Sequence, residues 1–147
     1  MTTTMEGMLE HARFMAEHMS RCAPRYVLVP VLLDLGVRAK HDGYDYLKNA
    51  IDISRENPGL SVMKGLYTAV GELYTPKVGK QQVEQAIRGA IDAAWKERDP
   101  DIWDAFFPHK KNKKAKKPSN ADFIAQLVCF LDMWEGCCEE VRYERTK

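Results

Sequence analysis

The stretch "VEQAIRGAIDAAWKER" (residues 83–98) has the residue spacing of an amphipathic helix. Its apolar side chains recur every three or four residues and would form one stripe: Val83, Ala86, Ile87, Ala90, Ile91, Ala94 and Trp95. The other side carries polar residues and a glycine that would let a ligand approach the backbone: Gln82, Glu84, Gln85, Arg88, Gly89 and Asp92. These residue types read bases and bind phosphate, but they also cover ordinary solvent-facing helices. The spacing therefore predicts a helix and leaves the purpose of its polar side open.

Helical patterns separated by turn signals cover most of the remaining chain, and no segment shows the alternation of a β-strand. Pro30 would stand in the first turn of the second helix, Ser61 would cap the fourth, and Ser119 with Asp122 would form a capping box at the last. The predicted class is all-α. The predicted helices lie over residues 5–19, 30–35, 44–57, 61–72 and 83–98, around residues 102–106, and from residue 119 onward.

Residues 5–19 carry an apolar heptad seam two repeats long. A helix this short is marginal in water by itself, so it must pack against something. Two arrangements remain open, because the helix could pair with its copy in a dimer or lie on its own domain. We predict an N-terminal helical arm over residues 1–24, a candidate for dimerisation, and a main domain over residues 25–147. The seam consists of Met5, Met8, Ala12, Met15 and Met19.

Length and composition indicate one domain with an arm, because the chain has 147 residues, 45% hydrophobic and 29% charged. The longest apolar run, residues 26–37, is interrupted by Asp34 and is too short to span a bilayer. The first residues lack the cationic and apolar regions of a secretory signal. We therefore expect a cytoplasmic protein with no membrane partner.

The cysteines and histidines give no sign of a metal site or of catalysis. Cys137 and Cys138 are adjacent, which does not suit the usual spacing of zinc ligands. The four histidines are scattered, and none is paired with an evident nucleophile or a glycine-rich phosphate loop. We expect no cofactor, no metal and no enzymatic activity.

Positive charge is concentrated in one segment of a chain whose net charge is only +1. Residues 76–118 contain eleven Lys and Arg against six Asp and Glu, an arrangement typical of a face that meets a polyanion. Within it, the stretch "PHKKNKKAKKPSN" (residues 108–120), here called the lysine loop, carries six lysines. The lysine loop is either a solvated connection or a segment that neutralises phosphates beside bound DNA.

The fourth and fifth predicted helices (61–72 and 83–98), joined by a short turn containing glycine, make a candidate helix-turn-helix. In that motif the second helix lies in the DNA major groove, and its first turns reach the base edges. Glutamine can pair with adenine, glutamate can accept from cytosine, and arginine binds guanine or phosphate. The residues placed to do so are Gln81, Gln82, Glu84, Gln85 and Arg88.

Four stretches of the chain resemble the DNA-binding effector domain of the sporulation master regulator, stage zero sporulation protein A. They are "LGVRAKHDGYDYLKNAI" (35–51), "LSVMKGLY" (60–67), "VEQAIRGAIDAAW" (83–95) and "KAKKPSNADFIAQL" (114–127). The resemblance implies a compact six-helix bundle containing a helix-turn-helix, preceded here by an extra N-terminal helix. It also implies sequence-specific transcriptional control, with residues 83–98 as the recognition helix and Glu84 and Arg88 on its DNA-facing surface.

Three departures from the family pattern bear on function. Residues 1–24 are too short for the receiver domain through which phosphorylation usually switches the family, so we expect a standalone relative without a receiver. The turn between the motif helices is about two residues longer than is usual for this motif. Gln85 stands where the family typically has arginine, so the target sequence is expected to differ.

Two functions therefore remain open. One is a sequence-specific regulator that binds double-stranded DNA, as a homodimer through the N-terminal helix and with RNA polymerase as a further partner. The alternative is a protein-binding module that pairs with or antagonises a full-length regulator. The predicted DNA-binding residues are Lys80, Gln81, Gln82, Glu84, Gln85, Arg88, Lys113, Lys114, Lys116 and Lys117.

Overall fold

The computed structural model describes residues 6–62 and 65–146, and these contain seven helices and no strand. The all-α class is confirmed, and so is a helical bundle with an extra N-terminal helix. No helix of the described ranges is long and apolar enough to cross a membrane. The helices are α1 (Glu6–Met19), α2 (Pro24–Asp34), α3 (Asp42–Glu56), α4 (Leu66–Gly71), α5 (Lys80–Lys96), α6 (Pro100–Phe106) and α7 (Asn120–Thr146).

The second helix begins earlier than predicted. Pro24 occupies its first turn, and Pro30 lies inside the helix, so the prediction that placed Pro30 at the start was wrong. Proline suits the first turn because its missing N–H would have no helical partner there. Pro24 lies just before the apolar run of residues 26–37 and Pro30 lies within it, and the sequence pattern does not show which of them begins the helix.

The fourth helix is shorter than predicted, because it begins at Leu66 with Gly65 as its N-cap. Gly65 has a φ of +102°, a left-handed conformation that interrupts a helix and that glycine adopts without a Cβ clash. Ser61 is therefore not the cap that was predicted; its carbonyl oxygen accepts a hydrogen bond from the Leu66 N–H at 3.1 Å. Residues 63 and 64, which the predicted helix included, lie outside the described residues.

The N-terminal helix packs on its own chain, against α7 and α6. Met8, Ala12 and Met15 of the predicted seam are buried, and the amide Nε2 of Gln126 on α7 lies 3.6 Å from the Met8 sulfur. Met19 is half-buried, and Met5 lies outside the described residues. The seam is thus covered by α7, and the homodimer proposed for this helix stays a prediction. On the outer face of α1, Phe14 is 58% exposed.

The long α7 is the element on which α1, α3 and α5 converge. Ser119 caps it as predicted, because its Oγ accepts a hydrogen bond from the Asp122 N–H at 3.1 Å. Its apolar stripe is buried as a continuous row that includes Phe123, Leu127 and Leu131. At the centre of the core, the Trp103 indole N–H donates to the Leu35 carbonyl at 2.9 Å.

The first turn of α3 lies directly against the middle of α5, and Gly43 makes this contact possible. A Cβ at Gly43 would overlap the Ala86 carbonyl oxygen and would lie 2.8 Å from the Ala90 Cβ. Because the overlap involves helix backbone, it could be relieved only by moving one helix away from the other. Gly43 therefore sets the distance between α3 and α5.

Replacing Gly43 by alanine is expected to lower the free energy of unfolding by roughly 1–3 kcal/mol, the usual cost of overpacking a core. Gly89→Ala is the matched control, because Gly89 also lies inside a helix and a Cβ there would meet nothing within 4 Å. That control should gain about 0.5–1 kcal/mol, since alanine is the better helix former. Urea unfolding followed by circular dichroism measures both. Equal stability of the Gly43→Ala and wild-type proteins would show that the α3–α5 contact is not a constraint.

Candidate nucleic-acid interface

Two helices, α4 and α5, form the unit predicted as a helix-turn-helix, and residues 72–79 connect them. This connection is longer than the three or four residues usual in the motif, but it folds back on the end of α4. The Gly71 carbonyl oxygen accepts hydrogen bonds from the Tyr74 N–H at 3.3 Å and the Val78 N–H at 3.1 Å. A Cβ at Gly71 would overlap the Val78 carbonyl oxygen, so this fold-back requires glycine.

Tyr74 anchors the connection to α3. Its hydroxyl oxygen accepts from the Asn49 amide at 2.8 Å, and its O–H donates to the Asp45 carboxylate. Its ring also meets the ring of Tyr46 edge-on, with the centroids 5.2 Å apart. Burial and the hydrogen bond to Asp45 raise the pKa of Tyr74, so the hydroxyl stays protonated and remains a donor. Sequence analysis did not single out Tyr74.

The apolar stripe predicted for α5 is buried, and its polar side is exposed. Ala86 and Trp95, also predicted on the stripe, are only half-buried. Gly89 is exposed, and its surroundings are open. The buried residues are Val83, Ile87, Ala90, Ile91 and Ala94.

The first turns of α5 present the predicted base-reading residues to solvent. Lys80, Gln81, Gln82 and Gln85 are exposed, and none of their side chains is hydrogen-bonded in the described parts of the chain. The N-cap, Gly79, has no side chain to cap the helix, so the first N–H groups of α5 remain available to an anion. This arrangement can bind base edges and a phosphate at the same end of the helix.

Two ion pairs form on one edge of this polar surface. The Arg88 guanidinium, with its side chain 61% exposed, donates to the Glu84 carboxylate one turn earlier. The Lys117 ammonium of the lysine loop pairs with the Asp92 carboxylate. Both cations on this edge therefore already have a carboxylate partner. Exposed pairs of this kind contribute only about 0–1 kcal/mol, so a phosphate or base can replace the carboxylate at small cost.

Asn120, the first residue of α7, holds the lysine loop beside α5. Its side-chain amide donates to the Glu84 backbone carbonyl at 3.1 Å and to the Tyr67 hydroxyl at 3.2 Å. These bonds join the start of α7 to both helices of the motif, three residues after Lys117. Sequence analysis missed this role, although Asn120 lies in a stretch that carried the family resemblance, next to the capping Ser119.

The other predicted lysines of the lysine loop, Lys113, Lys114 and Lys116, do not line the α5 edge. Together with Lys110 and Lys117 they line a concavity that adjoins the α5 edge at residues 117–119 and extends over the residues that follow α6 and the start of α7. We call this concavity the lysine cup. Of the predicted lysine-loop residues, the structure thus places only Lys117 directly beside α5. The lysines of the cup are Lys110, Lys113, Lys114, Lys116 and Lys117.

His109 shapes the lysine loop by contacting hydrogen-bond acceptors at both of its ring nitrogens. Its Nδ1 lies 3.1 Å from the Lys110 carbonyl oxygen and 2.9 Å from the Lys113 carbonyl oxygen. Its Nε2 lies 3.2 Å from the Asp104 carboxylate on α6. Only the protonated imidazolium can donate on both sides. The Lys110 carbonyl, followed by the Asp104 carboxylate, raises the pKa of His109 above its ordinary value.

A raised pKa of His109 means that protonation and the observed loop conformation favour each other. Their mutual stabilisation is complete below the ordinary pKa of 6.5 and is lost as the pH rises through the raised value. Asp104→Asn should lower the pKa of His109, as measured by NMR titration of its ring protons. Asp101→Asn, a change at an exposed position on the same helix, should leave it nearly unchanged. A pKa at or below 6.5 in the wild type would contradict the bridging geometry.

The chain matches the family described as sporulation initiation factor Spo0A C terminal over residues 28–131. The match spans the bundle from α2 into α7, including α4, the connection and α5. It therefore covers most of the chain and confirms the resemblance seen in the four sequence stretches. By this match, the chain belongs to the Spo0A C-terminal family.

Proposed function

We propose that this protein is a transcriptional regulator that binds double-stranded DNA sequence-specifically, with α5 as its recognition helix. Family membership supports a DNA-binding effector-type domain. The observation that carries the proposal is the exposed row of Gln81, Gln85 and Arg88 on the first turns of α5, beside Lys117. A helix-turn-helix presents this part of its second helix to the major groove.

The proposed contacts divide into two kinds. Gln81, Gln82, Glu84, Gln85 and Arg88 would read base edges, because their side chains offer donor and acceptor patterns that bases match. Lys80 and Lys117 would contact phosphates on either side of the groove, and the remaining loop lysines would add charge without reading sequence. Selection of bound duplexes from a random library, using the purified chain, tests the proposal. A pool without a consensus would exclude sequence-specific binding.

Arg88→Ala is expected to weaken binding to the selected site by about 1–3 kcal/mol while leaving the fold intact. The side chain is exposed, and its pair with Glu84 contributes little to stability. Arg38→Ala is the matched control, because Arg38 forms a similar exposed pair with Glu97 at the other end of α5. Fluorescence anisotropy measures the affinity for DNA, and thermal unfolding measures the stability of the fold. Equal losses of affinity in the two variants would indicate that only total charge matters.

Gln85→Arg is expected to change the preferred base at one position of the selected site from adenine to guanine. Glutamine offers one donor and one acceptor to adenine, whereas arginine offers two donors to guanine. Each such pair discriminates by about 1–3 kcal/mol, which a selection resolves. Gln85 is exposed and unpartnered in the described chain, so the exchange should not disturb the fold. Identical consensus sequences from the two proteins would show that residue 85 does not reach a base.

A second candidate function rests on the two ion pairs. Because Glu84 and Asp92 neutralise Arg88 and Lys117, the α5 surface is only weakly basic. Such a surface also suits a module that pairs with or antagonises a full-length regulator. The salt dependence of duplex binding separates the two functions. Each phosphate contact makes the slope of log K against log salt more negative by about 0.9. Binding that is absent or independent of salt would favour the protein-binding module.

A homodimer through the N-terminal helix would have to use the outer face of α1, which includes Phe14, because the methionine seam is covered by α7. Light scattering of the full chain and of a chain lacking residues 1–20 tests this. A transcriptional regulator would also contact RNA polymerase, and the described residues identify no surface for it.

A further inference from the structure

We propose that the lysine cup is a binding site for a small molecule that carries two or more phosphate groups. The proposal concerns the concavity formed by the lysine loop, the residues that follow α6 and the start of α7, not the α5 surface. It does not depend on DNA binding, because the ligand would be held by the cup alone.

Positive charge in the lysine cup is largely uncompensated. Five lysines line it, and within the described parts of the chain only Lys117 has a carboxylate partner. Asp122 is the single acidic residue in the lining. Ammonium groups held around one concavity repel each other, and an anion between them removes that repulsion. One phosphate would balance about two of these charges, so the number of lysines favours a ligand with several phosphates.

The shape of the lysine cup suits a small molecule better than a DNA backbone. The concavity is open to solvent and has a volume of about 900 Å³, within the range of roughly 300–1,000 Å³ that is usual for small-molecule pockets. Its lining includes apolar groups that could contact an organic part of the ligand: Phe107, Pro108, Pro118 and Ala125. The phosphates of a duplex lie on a convex rod and meet protruding side chains, whereas here five lysines line a concavity.

The lysine cup is also fixed in place before any ligand binds. His109 contacts the Lys110 and Lys113 carbonyls, and the Lys113 N–H donates to the Lys110 carbonyl at 3.0 Å. At the other end of the loop, Lys117 is held to α5 and Asn120 to α4 and α5. A loop fixed at both ends loses less conformational freedom when a ligand binds.

A ligand in the lysine cup would affect DNA binding if the proposed function is correct. Lys113, Lys114, Lys116 and Lys117 were all predicted to neutralise phosphates of DNA, and a bound polyphosphate would occupy them. The ligand would then weaken duplex binding and act as a chemical signal to the regulator. This consequence is tested only after the cup itself has been tested without DNA.

The test is isothermal titration calorimetry of the full chain with inorganic tripolyphosphate and with ATP, without DNA and at constant ionic strength. We expect saturable binding of one molecule per chain, at least about tenfold tighter than the binding of orthophosphate. Removing two lysines of the cup in the Lys113→Ala/Lys114→Ala variant should weaken tripolyphosphate binding at least about tenfold, as expected when charge-assisted hydrogen bonds are lost.

The control is the Lys40→Ala/Lys111→Ala variant, which loses the same charge from two exposed lysines outside the lining. It should bind tripolyphosphate nearly as tightly as the wild type does. Equal weakening in the two variants would mean general attraction to a basic surface and would overturn the proposal. Absence of saturable binding to the wild type would overturn it as well. Neither result bears on duplex binding, which is measured separately.

Discussion

The contact between Gly43 of α3 and the backbone of α5 sets the position of every α5 residue proposed to meet DNA. A glycine at this point lets the two helices approach until Ala86 and Ala90 touch the first turn of α3. The same helix holds the connection before α5, through the hydrogen bonds of Tyr74 with Asp45 and Asn49. Because α3 fixes both α5 and the segment that leads into it, the exposed face of α5 cannot rotate independently of the bundle.

The start of α7 supplies a second support on the opposite edge of α5. Asn120 donates to the Glu84 carbonyl and to Tyr67, so α4, α5 and α7 meet at one side chain. The ion pair between Lys117 and Asp92 then places one cation of the lysine loop next to Arg88. The charged edge of α5 is thus built from two distant segments, and each of its two cations is paired with a carboxylate of α5. Such a surface favours discrimination by shape and hydrogen bonding over attraction by charge alone.

Local patterns predicted much of the fold. The apolar stripe of α5, the Ser119 cap of α7 and the all-α class depend on residues within a few positions of each other, and these predictions were confirmed. The predictions failed where two local signals competed. Pro24 and Pro30 could each begin α2, and the helix begins at Pro24. Ser61 and Gly65 could each precede α4, and the helix begins directly after Gly65.

By itself, the sequence determined the class of the fold, the buried side of each well-patterned helix and the family, because helical periodicity and motif spacing are local properties of the chain. Only the tertiary structure decided that the methionine seam of α1 lies against α7 and that Lys117 meets Asp92. It also showed that, of the predicted lysine-loop residues, Lys117 lies beside α5 and joins the α5 edge to the lysine cup. The physical reason is that these contacts join segments far apart in the chain, so their distances follow from how the helices pack and not from any spacing in the sequence.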